Sequence, residues 1–313
     1  MQERTMVERW WLPVACAMLA GHFVLATALT GFNPEFLAVD GLGLTLVLAS
    51  RATRRFALLV FPFWLAGIAY DNLLPLVLPF RGPIHIDDLY FAELHWFGIG
   101  SGTGRETLCQ FFARNHWPAI DLLCGFAYAC YLPEMIPFAV YLFFKDRRVL
   151  GRLAWLFCLV HLANFVTYII YPAAPPWYVE LYGLGPAVEN AKSYAAGFGR
   201  VDEILGVSVV NWFYSHNVNV FGAMPSGHVG SAVLFALVAR DIGPRWFAGA
   251  SIFAGLMAFG AVYFRQHYVL DVIAGCAYAT IGYCVVTSVE SWILGSPACV
   301  FAPTPVNLGE ARC

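Results

Sequence analysis

The chain has 313 residues, 60% hydrophobic and only 12% charged, with a formal net charge of −2 and a mean hydropathy of +0.66. A soluble domain carries roughly a quarter charged residues, so this composition excludes an ordinary soluble protein and describes an integral membrane one. Near-neutrality excludes nucleic acid as a partner, and the cysteines offer no metal-spaced C-x-x-C pair: Cys16, Cys124, Cys130, Cys158, Cys276 and Cys284 fall inside apolar segments as small core residues.

In chain order, residues 10–30 form an apolar run of spanning length with no small-residue cleavage site, so a retained span is expected rather than a removable signal. Residues 36–50 make a shorter, weaker span containing Asp40, and 56–80 a third with Asp71 and Asn72 inside it. The polar, aromatic-rich stretch 81–116 cannot span and is expected at the membrane interface. Its Gly98, Gly100, Gly102, Gly104 run lacks the Lys-Ser/Thr and flanking strand of a phosphate loop and reads as a flexible interfacial loop. Residues 117–144 form a fourth span interrupted by Pro133-Glu134 and Pro137, and 153–171 a fifth. A long loop, 172–224, precedes the sixth to eighth spans at 225–239, 246–264 and 268–293. The expected fold is all-α, a polytopic bundle of about eight spans: an N-terminal transmembrane hairpin (1–55), a transmembrane core (56–295) and a disordered tail (296–313).

With a cytoplasmic N-terminus, one face holds Arg4, Arg9, Arg51, Arg54, Arg55, Lys145, Arg147, Arg148, Arg152, Arg240, Arg245 and Arg312. The other holds Arg81, Arg105, Arg114, Lys192, Arg200 and Arg265. The excess of basic residues marks the first face as cytoplasmic. The loop 172–224, His228 and His267 then share the external, periplasmic or luminal face. The sixth span is short, about 22 Å at roughly 1.5 Å per residue against a bilayer core of about 30 Å. His228 is therefore expected below the surface, near headgroup depth.

Two short stretches carry the chemistry. Ser226 can cap the helix that starts after Pro225, Gly227 lets a ligand approach the backbone, and a helix start suits a phosphate. His267 and Asp271, four residues apart, share a helix face, so the carboxylate can accept from one imidazole nitrogen and leave the other free to attack. Two histidines, a carboxylate and an anion seat are the inventory for phosphoryl transfer through a phosphohistidine. His22, His85, His95, His116, His161 and His216 have no comparable spacing and receive no role. No acidic cluster or Cys/His spacing offers a metal shell, so neither metal nor organic cofactor is expected.

Pro225–His228 matches P-S-G-H, and His267 with Asp271 matches H-x-x-x-D, the second and third motifs of the type-2 phosphatidic acid phosphatases, which the chain resembles. Residues 171–178, with Pro175-Pro176-Trp177-Tyr178, resemble the A-P-P-W-Y element of the inositol phosphorylceramide synthase branch, as do Tyr263, residues 267–271 and Tyr70-Asp71. The ordinary phosphatases place arginine where this chain has Ala261, and their first motif, K-x-x-x-x-x-x-R-P, is absent; both departures fit the transferase branch. Fungal synthases read P-S-L-H where this chain has Gly227. The resemblance implies a six-helix phosphatase-type core with His267 as nucleophile, Asp271 orienting it through a hydrogen bond, and His228 as general acid and then base. Phosphate-binding candidates are Ser226, Gly227, Arg265, Arg200, Lys192 and Arg81, while Pro176, Trp177 and Tyr178 would shape the site.

The implied activity moves a phospho-alcohol from a phospholipid donor to a lipid alcohol, ceramide or diacylglycerol. One rival is a lipid phosphate phosphatase using water. Another is a transporter with a His/Asp proton relay, which would normally show inverted repeats that this sequence lacks.

Overall fold

The computed structural model describes residues 3–294 apart from 33, 71–73, 132, 189–190 and 216–218. Asp71, His216 and the C-terminal tail lie outside the described residues. Among those described there is no strand, only three isolated bridges: His85 with Ala173, Ala173 with Gly222, and Ile99 with Glu106. The fold is all-helical, as the apolar runs predict.

Helices α1 (Glu3–Thr30), α2 (Pro34–Ala49) and α3 (Arg51–Ile68) pack in sequence order. The polar residue that weakens the second span is satisfied: Asp40 accepts from His22 Nδ1 at 2.7 Å and from Trp64 Nε1 at 3.2 Å, so one carboxylate pins three helices. Ser50 and Thr53 form a capping box that starts α3. The short α4 (Leu74–Val77) leads into the interfacial stretch, which folds into α5 (Asp87–Phe97) and α6 (Leu108–Arg114). The fourth apolar segment breaks into α7 (Pro118–Ala129) and α8 (Met135–Lys145), because Pro133 has no N–H to continue the helix.

Helix α9 (Arg147–Ile170) begins where Asp146 accepts from the Arg148 and Val149 amides. The long loop that follows is more ordered than its sequence suggests, holding α10 (Pro176–Tyr182), α11 (Arg200–Leu205) and α12 (Val209–Ser215). Three further helices close the chain: α13 (Gly227–Ala239), α14 (Pro244–Tyr263) and α15 (Val269–Leu294). Among the described residues, three segments are long and apolar enough to cross a membrane, Arg147–Ile170, Pro244–Tyr263 and Val269–Trp292. The eight expected spans exceed this count partly because the fourth is split and α13 has only 13 residues.

Helix α13 sits at the centre, against α9, α14 and α15, with α3 outside α9 and α7 against α14. Leu142, Leu150, Leu153, Leu156, Leu234 and Val238 fill the contact between α8, α9 and α13. At one end of the bundle Arg152 pairs with Asp241 and with Glu290, and the Tyr283 hydroxyl donates to Asp241. At the opposite end α13 and α15 touch through glycine. A Cβ at Gly275 would lie 2.5 Å from the Ser226 carbonyl oxygen, and one at Gly230 would lie 3.3 Å from the Gly275 oxygen. This contact lets the Ser226 amide donate to the Asp271 carbonyl at 3.0 Å.

Gly275→Ala is expected to force the helices apart at a backbone atom that cannot swing away, destabilising the fold by about 1–3 kcal/mol. The melting temperature of the purified variant checks this; an unchanged value would show that the crossing adjusts without loss.

Candidate active site

The loop between α14 and α15 is held from every side. The Gln266 and His267 amides both donate to the Ala261 carbonyl, at 3.0 and 3.1 Å, folding the chain back on the end of α14. That reversal puts Arg265 at φ +62, a left-handed conformation that non-glycine residues rarely adopt. Trp177 N donates to the Arg265 carbonyl at 3.2 Å, and Gln266 Nε2 donates to the Ala195 carbonyl at 2.7 Å. Cys109 Sγ reaches the His267 carbonyl at 3.4 Å. Burial pushes the Cys109 thiol well above its ordinary value, so it stays a donor.

The start of α15 draws on a carboxylate from another helix. Glu93, fully buried on α5, accepts from the Val269 and Leu270 amides, both at 3.1 Å, while Asp271 Oδ2 accepts from Tyr268 N at 2.7 Å. Two carboxylates thus serve the free amides of one helix start, where negative charge is also favoured by the helix dipole. Burial, together with the neighbouring Asp271 charge, pushes the Glu93 carboxyl above its ordinary value, against the two amides that hold it down.

His267 projects from this loop towards His228, and their ring centroids stand 6.1 Å apart. His267 Nδ1 is 2.8 Å from the Ala223 carbonyl and 3.8 Å from Asp271 Oδ2. The direct hydrogen bond expected from Asp271 is therefore made by a backbone carbonyl, because Asp271 is turned to the Tyr268 amide. The consequence for the ring is the same: Nδ1 carries the hydrogen and Nε2 keeps its lone pair. Asp271 Oδ1 has no hydrogen-bond partner among the described residues. His228 lies between two tyrosines, Tyr128 stacked at 4.4 Å and Tyr131 tilted at 4.2 Å. Ser226 caps α13 through the Val229 amide at 3.4 Å.

Of the residues singled out from the sequence, Ser226, Gly227, His228, His267 and Asp271 come together. Pro176 opens α10, and Trp177 and Tyr178 are buried; Tyr178 accepts from Val188 N at 2.8 Å, so this element braces the Arg265 turn. The cations do not converge. Arg265 pairs with Glu180 and lines a cavity of about 300 Å³ with Pro176, Tyr90, Gln110 and Tyr268. Arg200 pairs with the buried Asp121 at 2.7 Å and lies over the Tyr263 ring. Arg81 covers the Phe221 ring, and Lys192 is exposed. Sequence reasoning missed Glu93, Tyr128, Tyr131, Asn164 and the backbone of Ala223; an acidic residue in an amphipathic stretch and a polar residue in an apolar span were the available signals. No group of three or more His, Cys, Asp or Glu side chains among the described residues is arranged to hold a metal.

A family model described as the PAP2 superfamily matches residues 101–285, more than half of the chain. A phosphoinositol dihydroceramide synthase of Bacteroides thetaiotaomicron is 38% identical over 271 residues, covering 85% of this chain and 88% of that protein. The catalytic subunit of the inositol phosphorylceramide synthase of Schizosaccharomyces pombe is 26% identical over 284 residues, 87% of this chain and 64% of the fungal one. The inositol phosphorylceramide synthase of Candida albicans is 31% identical over 173 residues, 54% of this chain and 36% of that protein. No solved structure matches. The chain belongs to the PAP2 superfamily, in its inositol phosphorylceramide synthase-like branch.

Because the folded state raises the Glu93 pKa, it binds this proton more readily than the unfolded chain does. The stabilising contribution is thus present at low pH and lost as pH rises through the raised value. Glu93→Gln should flatten that decline, whereas Glu93→Leu should leave two buried amides unpaired and cost about 1–3 kcal/mol at every pH. Melting temperatures across a pH series read both effects; parallel curves for wild type and Glu93→Gln would refute the first.

Proposed function

We propose that this protein is a membrane phosphotransferase that moves phosphoinositol from a glycerophospholipid to the primary hydroxyl of a ceramide-type lipid. The observation that carries the reading is the facing pair His228 and His267, 6.1 Å apart, with His267 held as its Nδ1–H tautomer. Attack needs nitrogen within about 3–3.5 Å of phosphorus, and proton transfer about 2.6–3.2 Å between heavy atoms. One phosphoryl group beside both rings meets both conditions.

In the first half-reaction His267 Nε2 bonds to phosphorus while the bond to the glycerol oxygen breaks, and His228 gives that oxygen its proton, so diacylglycerol leaves. The phosphorylated ring is cationic, and Asp271 at 3.8 Å offsets that charge. In the second half, His228 takes the proton of the acceptor hydroxyl as its oxygen displaces His267. Gly227 and His228 amides in the first turn of α13 have no intrahelical acceptor and suit the phosphoryl oxygens. A diester carries one charge on phosphorus, so it fits a site whose arginines are committed to Glu180 and Asp121. Similarity to proteins named for phosphoinositol dihydroceramide and inositol phosphorylceramide synthesis supports the acceptor class.

The same reading takes the N-terminal helices as a hairpin (1–55) ahead of a catalytic core (56–295), with about eight crossings in all. The broken pair α7 and α8 forms one crossing, and the short α13 another inside a ring of longer helices. The histidines then open to the periplasmic or luminal side, away from the end where Arg152, Arg240 and Arg245 cluster. That placement rests on the excess of basic residues at the opposite end.

His267→Gln should reduce transfer to background, since no phosphohistidine can form. Asp271→Asn should lose about three to four orders of magnitude, by analogy with the buried carboxylate of a catalytic triad. Transfer of label from phosphatidylinositol to ceramide in detergent measures both, and substantial turnover by His267→Gln would overturn the nucleophile assignment.

With diester and monoester donors side by side, acceptor-stimulated transfer from the diester should dominate and survive a strong chelator. Fast, acceptor-independent phosphate release from phosphatidic acid would identify a phosphatase instead.

A further inference from the structure

Helix α9 carries a polar face that the proposed chemistry leaves unused. His161, Asn164 and Tyr168 fall on one side of α9, in a stretch that from Leu153 onward is apolar but for them and Thr167, at spacings of three and four residues. Polar groups inside a span are costly unless paired, so their hydrogen bonds can be followed one at a time. His161 Nδ1 lies 2.8 Å from the Phe157 carbonyl; it carries the hydrogen, and Nε2 accepts. Tyr131 Oη, 2.9 Å from Nε2, gives its proton there, while the Ser231 hydroxyl donates to the Gly227 carbonyl at 3.0 Å. The Tyr168 hydroxyl donates to the Pro225 carbonyl at 3.0 Å. Both phenols therefore keep acceptor lone pairs but have no hydrogen left to give. Asn164 is 1% exposed, and neither Oδ1 nor Nδ2 has a partner among the described residues.

These groups converge on Gly227. A Cβ there would stand 3.4 Å from Tyr168 Oη, 3.8 Å from Asn164 Nδ2 and 3.9 Å from Tyr131 Oη. Three acceptors, the two phenol oxygens and Asn164 Oδ1, and one donor group, Asn164 Nδ2, thus stand around the start of the helix that carries His228. They suit a ligand with two hydrogens to give and an oxygen to receive one.

Beyond its reacting hydroxyl, diacylglycerol offers only ester oxygens, which are acceptors. A ceramide offers an amide N–H, a secondary hydroxyl and an amide carbonyl. The inositol ring of a donor also has hydroxyls, but it belongs at the aqueous surface. Asn164 lies six residues before Ile170 at the end of α9, about 9 Å deeper at 1.5 Å per residue, at the level of a lipid backbone. We propose that Asn164, with Tyr131 and Tyr168, reads the amide and secondary hydroxyl of a ceramide-type acceptor and sets the preference for it over diacylglycerol. The proposal rests on the acceptor class given above.

The test uses the full chain in mixed micelles, with phosphatidylinositol as donor and four acceptors: a short-chain ceramide, its N-methylated form, its 3-deoxy form and a diacylglycerol. Selectivity is read as the ratio of kcat/KM between acceptors within each variant, so it does not depend on the folded fraction. Wild type should prefer the intact ceramide by about tenfold to a hundredfold over each analogue, the ratio expected for an unpaired buried polar group. Asn164→Leu should bring those ratios close to one, and Asn164→Asp, which keeps acceptors but loses the donor, should give an intermediate pattern. Unchanged acceptor ratios in Asn164→Leu would overturn the proposal. So would a change confined to the preference among donors differing in headgroup, which would assign these side chains to the donor. If wild type cleaves donor but transfers to no ceramide, the acceptor class itself fails, and the proposal with it.

Discussion

One backbone hydrogen bond organises the end of this bundle where His228 and His267 face each other: the Ser226 amide donates to the Asp271 carbonyl. It joins the residue that caps α13 to the helix turn that follows the His267 loop, and it forms only because Gly230 and Gly275 let the two helices come within backbone contact. Two motifs remote in sequence are thereby held in fixed register by atoms that do not depend on side-chain rotamers. Everything that surrounds the pair adjusts to that register. Cys109, Gln266 and Trp177 fasten the loop, and Tyr128 and Tyr131 enclose the opposing ring.

The treatment of charge around this centre separates it from a site built for a dianion. Arg200 and Arg265 stand close to the nucleophile loop, yet each is neutralised by a carboxylate from another segment, Asp121 and Glu180. Their work is to hold α11 to α7 and the Arg265 turn to α10. What surrounds the facing histidines is instead a helix start, a tautomer fixed by a carbonyl and one buried carboxylate. Fixed dipoles of this kind, held away from solvent, need no reorganisation when charge develops beside them.

Much of this was legible in the sequence, and the reasons for the rest are physical. Pro-Ser-Gly-His and His-x-x-x-Asp identify a helix cap and a pair of histidines, and the fold brings the two rings face to face. Pro133 announces the break between α7 and α8. The partner of His267 Nδ1 is a main-chain oxygen, which no residue type betrays. The pairing of Arg265 with Glu180 depends on a left-handed turn that reverses the direction a helix would have given it. Helices α10 to α12 are short and held by tertiary contacts rather than by periodicity, so the stretch reads as loop. His161 and Asn164 were visible as polar residues in an apolar span, but their meaning depends on which neighbours take their hydrogens.

Glu93 gives the fold a property that its position on a surface helix does not advertise. The carboxylate that completes the start of α15 is carried by α5, whose Phe91 and Trp96 are exposed. Exposed aromatic rings of this kind settle at the boundary between lipid and water. Lateral pressure at that boundary, set by headgroup size and acyl packing, bears on α5 and through it on the turn that carries His267. The position of His267 is in this way mechanically continuous with the lipid boundary, and the composition of the surrounding lipid bears on the geometry of the facing histidines.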